Sequence, residues 1–434
     1  MKILKSFFIN SNNITRDSYL WNVFSATVFA IQSAIILMVV TRTNGMEDAG
    51  IFSIAYAIGS LVYYVGEYGV RKYQVSDINE EMSFTDYHSH RLTACLAGLV
   101  MTAFYVVNGL LRQGYTGYKA YIVFAICFIK VIEAYSEVYF GRYQQVGRLD
   151  VAAKTNFYRI MLGLVACIVS LIVTHDMVIS MSVWVVVSIV AVLTSSMLVY
   201  KDFGTLSLKF DFRKIARIFK DCFPLFAGYF LLLYVGNAPK YAIDACMSDI
   251  EQAMYNFIFM PVFAIGMFAN FIFNPILVDM AHKWDESRIK DFTKMVLKQV
   301  LVITGITLLA IAVALTIGPP VLGILFNADL SEYKIDLTIL MVGGGMLALV
   351  NFFAVVVTVM RYQQHLTWGY AVMAAAALVM SNRIVQAYGI RGATLLYTLL
   401  MSAQTLIFAV ITFYFIKRKA DTLKQNPSAS SQPH

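Results

Sequence analysis

Twelve stretches of about twenty apolar residues follow one another along the chain, and most of its charge lies in the short segments between them. A helix of that length crosses the hydrocarbon core of a bilayer and satisfies its own backbone hydrogen bonds as it does so. The pattern predicts spans over 20–41, 49–70, 92–111, 120–140, 157–174 and 179–200, and then over 223–247, 253–277, 300–318, 337–360, 368–385 and 392–416. The expected fold class is an all-α polytopic membrane protein with twelve transmembrane helices. The polar start of the chain, with Asn10, Asn12, Asn13, Arg16 and Asp17, lacks the form of a cleavable signal peptide, so the first span is expected to persist as a helix.

The polar gaps set the organisation. A basic segment over 201–220 separates six spans from six, predicting an N-lobe over 1–205, a C-lobe over 206–419 and a disordered cytoplasmic tail over 420–434. Paired features hold the same rank in each half. Tyr118-Lys119 precedes the fourth span and Tyr333-Lys334 the tenth; Arg142-Tyr143-Gln144-Gln145 follows the fourth and Arg361-Tyr362-Gln363-Gln364 the tenth. Six is even, so both halves would enter the membrane from the same side, as a parallel repeat of two six-helix lobes.

Charge then orients the chain. With the N-terminus inside, 26 of the 34 basic residues fall on the cytoplasmic side, six lie opposite, and Lys130 and Lys240 lie within spans. The positive-inside rule places both termini in the cytoplasm of a multi-pass cell-membrane protein. The net charge of +8 is accounted for by loops facing anionic lipid, and no nucleic-acid partner is expected. Residues 209–220 read as an amphipathic helix on the inner surface. The five cysteines are expected to be buried small apolar groups. His88 and His90 are expected on a solvated loop.

Three motifs carry a family resemblance. They are Gly66-Glu67-Tyr68-Gly69-Val70-Arg71 closing the second span, Pro320-Val321-Leu322-Gly323-Ile324-Leu325-Phe326 before the tenth, and Tyr388-Gly389-Ile390-Arg391-Gly392-Ala393 entering the twelfth. In this order they resemble the multidrug/oligosaccharidyl-lipid/polysaccharide exporter superfamily, in its polysaccharide flippase branch. The resemblance implies a flippase that moves a polyprenyl-(pyro)phosphate-linked oligosaccharide across the cytoplasmic membrane by alternating access. Glycan-assembly enzymes are its candidate partners.

A charge inside the bilayer costs a few kcal/mol or more, so intramembrane ions mark a pathway, a partner or an interface. Lys240 and Lys130, with Arg42, are candidate ligands for a headgroup phosphate. Asn237, Lys240 and Asp244 share one helix face, and Pro239 is expected to bend their helix. Two readings stand for each lysine: a headgroup ligand, or half of a local ion pair, Lys240 with Asp244 and Lys130 with Glu133. Arg42 reads more readily as a snorkelling anchor than as a ligand. Glu67 and Arg71, spaced i,i+4, are gate candidates, and Glu133, Glu137 and Asp244 are candidates for coupling to H⁺ or Na⁺. Asn237, Asn256, Asn270, Asn351 and Tyr64 are candidate sugar contacts, although Asn commonly serves helix–helix hydrogen bonds. Gly343-Gly344-Gly345 permits a bend or a close helix approach.

No P-loop and no metal-ligand spacing is present, so neither an enzyme nor a further cofactor is expected. Two alternatives remain: a cation-coupled multidrug exporter of the same superfamily, or a membrane-embedded glycan polymerase or ligase.

Overall fold

The computed structural model describes residues 2–77, 79–203, 209–273 and 276–425; the side chains of a few helical residues within these ranges, Asn270 among them, lie outside the description. The regular elements among the described residues are all helices, without strands: α1 (Lys2–Ile9), α2 (Ile14–Thr43), α3 (Met46–Glu67), α4 (Val70–Ser76), α5 (Phe84–Arg112), α6 (Gly117–Gln145), α7 (Leu149–Thr174), α8 (Met177–Ala191), α9 (Leu198–Tyr200), α10 (Phe212–Cys246), α11 (Asp249–Phe273), α12 (Leu277–Asp285), α13 (Ile289–Thr316), α14 (Gly318–Phe326), α15 (Lys334–Val359) and α16 (Gln364–Gln425). A π-helical turn, Val192–Met197, joins α8 to α9.

Among the described residues ten helices, taking α3 with α4 as one, are long and apolar enough to cross a membrane. Two differences from the twelve expected spans have local causes. Helix α6 is diluted by Lys130, Glu133 and Glu137. Helix α16 covers the last two expected spans but breaks at Gly389, where φ is 58° and ψ is −141°. Large apolar side chains point outward along the long helices, among them Leu96, Phe104, Leu111, Ile172, Leu301, Leu308 and Leu378. Such faces suit hydrocarbon, and this is a multi-pass membrane protein.

The chain divides into compact units Met1–Phe230 and Leu231–His434. The division falls within α10, whereas sequence alone puts its boundary at 205/206. Residues 213–220 form the opening turns of this continuous 35-residue helix rather than a separate surface helix. The helical path also continues through Pro239. At the other end, α16 extends to Gln425, so 420–425 is helix rather than tail; residues 426–434 lie outside the description.

In the first unit α6 packs against α3, α5, α7 and α8. Its neighbours shield it from lipid, which lets it carry charge. In the second unit α15 holds the central place, against α11, α13 and α16. Its triple glycine serves close packing: a Cβ on Gly343 would lie 2.7 Å from the Tyr397 ring, and one on Gly345 would meet the Thr307 side chain.

The end of α3 explains the first motif. A Cβ on Gly66 would lie 2.8 Å from that of Ala134 on α6, so glycine is required for the approach. Tyr68 and Gly69 then turn the chain with left-handed φ values of 52° and 71°. Helix α5 starts with a Ser83–Asp86 capping box, and it buries His88 and His90, contrary to a loop placement. The His90 ring packs 4.0 Å from that of Phe219. All five cysteines are unbridged, four of them buried and Cys246 half-buried.

Candidate functional site

The first unit contains a buried ionic cluster built by four helices. Lys130 and Glu133 lie one turn apart on α6, and the lysine Nζ donates to Glu133 Oε2 at 2.7 Å. The second carboxylate oxygen, Oε1, faces Arg159 Nη1 of α7 at 3.4 Å. All three side chains are at most 3% exposed. The i,i+3 pair read from sequence is therefore present, but it is half of a triad carrying two cations and one carboxylate. Surrounding groups complete the first layer. Lys130 Nζ donates to Tyr56 Oη of α3 at 3.0 Å, which also accepts from Gln32 Nε2 of α2 at 3.1 Å. The ammonium lies 4.2 Å from the Tyr56 ring centroid and 5.4 Å from that of Phe29. Arg159 Nη2 donates to Asn156 Oδ1 at 2.8 Å, and Asn156 Nδ2 to Ser25 Oγ of α2 at 2.9 Å. Arg159 Nε has no hydrogen-bond partner among the described residues. The cluster thus has a surplus positive charge and an unused guanidinium donor.

Farther along α6, Glu137 Oε2 accepts from Arg71 Nη1 at 2.7 Å, and Arg71 Nη2 donates to Gln144 at 3.1 Å. The gate candidates Glu67 and Arg71 stand on separate helices, because the left-handed turn at Tyr68 and Gly69 ends α3 between them. Glu67 accepts from the Gly69 N–H at 2.7 Å. Arg91, fully buried on α5, donates to the Gly66 carbonyl at 2.5 Å and so caps the end of α3. Tyr64 stacks on Tyr229, with centroids 5.8 Å apart. Arg42 is exposed at the last turn of α2.

In the second unit Lys240 is buried, with its ammonium 4.4 Å from the centroid of Phe259 and 6.0 Å from that of Phe263. Asn237, Asp244 and Asn256 are also buried, and Asn351 is half-buried. The side chain of Asn270 lies outside the described residues.

A family model described as "Polysaccharide biosynthesis protein" matches residues 16–281. The chain belongs to that family. The fold of this polysaccharide biosynthesis protein is similar to that of solved structures in the MOP superfamily. The lipid II flippase MurJ in an inward closed conformation matches with a TM-score of 0.67 and 11% identity, over 96% of this chain and 94% of that one. An inward-facing multidrug resistance MATE family transporter matches with a TM-score of 0.57 and 14% identity, over 98% and 99%. A eukaryotic MATE transporter gives 0.55 and 11%, over 95% and 99%. No curated protein matches the chain. The family match and this shared fold agree with the resemblance carried by the three sequence motifs.

Sequence reasoning passed over Arg159, Tyr56, Gln32 and Asn156. One signal was present: Arg159 stands at the third position of the run predicted over 157–174, at the cytoplasmic end with which the charge count groups it. Nothing in the sequence links it to Glu133, which is on another helix.

Proposed function

We propose that this family member is a flippase that moves a polyprenyl-(pyro)phosphate-linked oligosaccharide across the cytoplasmic membrane for cell-surface polysaccharide biosynthesis. One observation carries the reading: the buried Lys130–Glu133–Arg159 triad, with one positive charge in excess. A phosphate crossing an apolar layer must exchange its water for other partners, and buried cations with an unused donor supply them. Family membership supports the glycan, and the fold shared with a lipid II flippase supports a lipid-linked one. Alternating access of two lobes, cytoplasmic termini and coupling to H⁺ or Na⁺ through Glu133, Glu137 or Asp244 belong to the same reading. The protein acts as a transporter rather than an enzyme.

The test is in cells. Arg159→Gln and Lys130→Gln should each abolish surface glycan while lipid-linked repeat units accumulate on the inner leaflet. Surface-exposed but unpolymerised units would point to a polymerase. Altered drug susceptibility with intact surface glycan would point to a multidrug exporter.

A further inference from the structure

Glu133 occupies the place that an anionic ligand would take. Its two oxygens address two cations from two helices, Lys130 Nζ at 2.7 Å and Arg159 Nη1 at 3.4 Å. Those cations are buried and have neutral or aromatic groups as their remaining neighbours: Tyr56, Phe29 and Asn156. Among the described residues, Arg159 Nε has no acceptor. A single carboxylate therefore balances one of two charges and leaves a donor unused, whereas a phosphate or diphosphate could balance both and occupy more donors.

We propose that Glu133 is a built-in stand-in for the substrate's phosphate, holding Lys130 and Arg159 together in the empty protein and yielding both when the anionic headgroup binds. The inference rests on the flippase reading and adds a mechanism to it. Binding is an exchange of one anion for another, so the cation pair always has an anion between its members, and the protein discriminates against ligands too weakly charged to displace a carboxylate. Once the headgroup leaves, Glu133 closes the triad again.

The experiment uses the purified full-length chain in detergent and measures inorganic pyrophosphate binding by calorimetry. If the cations are released from Glu133 less than about a tenth of the time, removing the carboxylate tightens binding at least about tenfold. Glu133→Gln should show that gain, Glu133→Asp should stay near the parent affinity, and Arg159→Gln should bind at least about tenfold more weakly. A second route avoids dependence on how Glu133→Gln folds. Lys130→Gln should weaken binding, and adding Glu133→Gln to it should restore binding, which a purely structural role would not do. If removing Glu133 tightens binding in neither background while Arg159→Gln still weakens it, the stand-in role is wrong and the anion site survives. If pyrophosphate binds none of these proteins, or binds without regard to Arg159 and Lys130, both the stand-in role and the anionic headgroup reading fall.

Discussion

Deleting the carboxylate of the triad and deleting one of its cations should have opposite consequences in combination. At the observed separations of 2.7 Å and 3.4 Å, Glu133 attracts Lys130 and Arg159 by about 6 and about 5 kcal/mol at an effective dielectric constant of 20. Desolvation offsets much of this, and breaking a buried pair from one side costs about 3–5 kcal/mol. Glu133→Gln leaves two cations buried beside each other and should fall in that range. Arg159→Met keeps the volume and leaves a neutral Lys130–Glu133 pair, so about 1–2 kcal/mol is expected, chiefly from the hydrogen bond to Asn156. The decisive case is the double variant. With Glu133 already gone, Arg159 only repels Lys130, and removing it should raise stability above that of Glu133→Gln alone. Denaturant titration of the three variants in detergent micelles, followed by circular dichroism, closes the cycle with a coupling above about 1.5 kcal/mol. Equal destabilisation by Arg159→Met in both backgrounds would show that no triad exists.

Other expectations follow from single contacts. Gly343→Val would push a side chain into Tyr397 and should cost about 1–3 kcal/mol; an unchanged melting temperature would mean that α15 and α16 are not packed this closely. Lys240→Met should raise the melting temperature, because the ammonium is buried against ring faces; a drop would show that an oxygen acceptor holds it. Asp77, between α4 and α5, is held below the usual carboxylate range. Burial works against its ionisation, but hydrogen bonds from the Met82 N–H, the Tyr87 O–H and the Glu81 N–H to the carboxylate outweigh it. The stability this gives the loop is full above the unfolded value of 3.8 and is lost as pH falls through the lower folded value. Amide exchange at Glu81 and Met82 should therefore accelerate over that acidic window beyond its intrinsic pH dependence, and Asp77→Asn should remove the excess.

Much of this molecule could be read locally. The apolar runs and the Lys130–Glu133 spacing depend on residues within a few positions of one another, and helix periodicity fixes them. The same locality misled in places. Glu67 and Arg71 have the right spacing for a pair only if the helix continues, and two left-handed residues end it. His88 and His90 look like loop residues by polarity, yet the capping box starts α5 before them and the surrounding aromatic side chains bury them.

By itself the sequence determined an all-helical membrane protein and the faces on which its intramembrane ions stand, because length, apolarity and the 3.6-residue period are properties of one segment at a time. Only the tertiary structure decided which ions meet. Arg159 reaches Glu133, Arg71 reaches Glu137 and Lys240 reaches Phe259 across helix interfaces whose geometry depends on how side chains from both helices interlock. A period tells which way a charge points; only packing tells what it finds there.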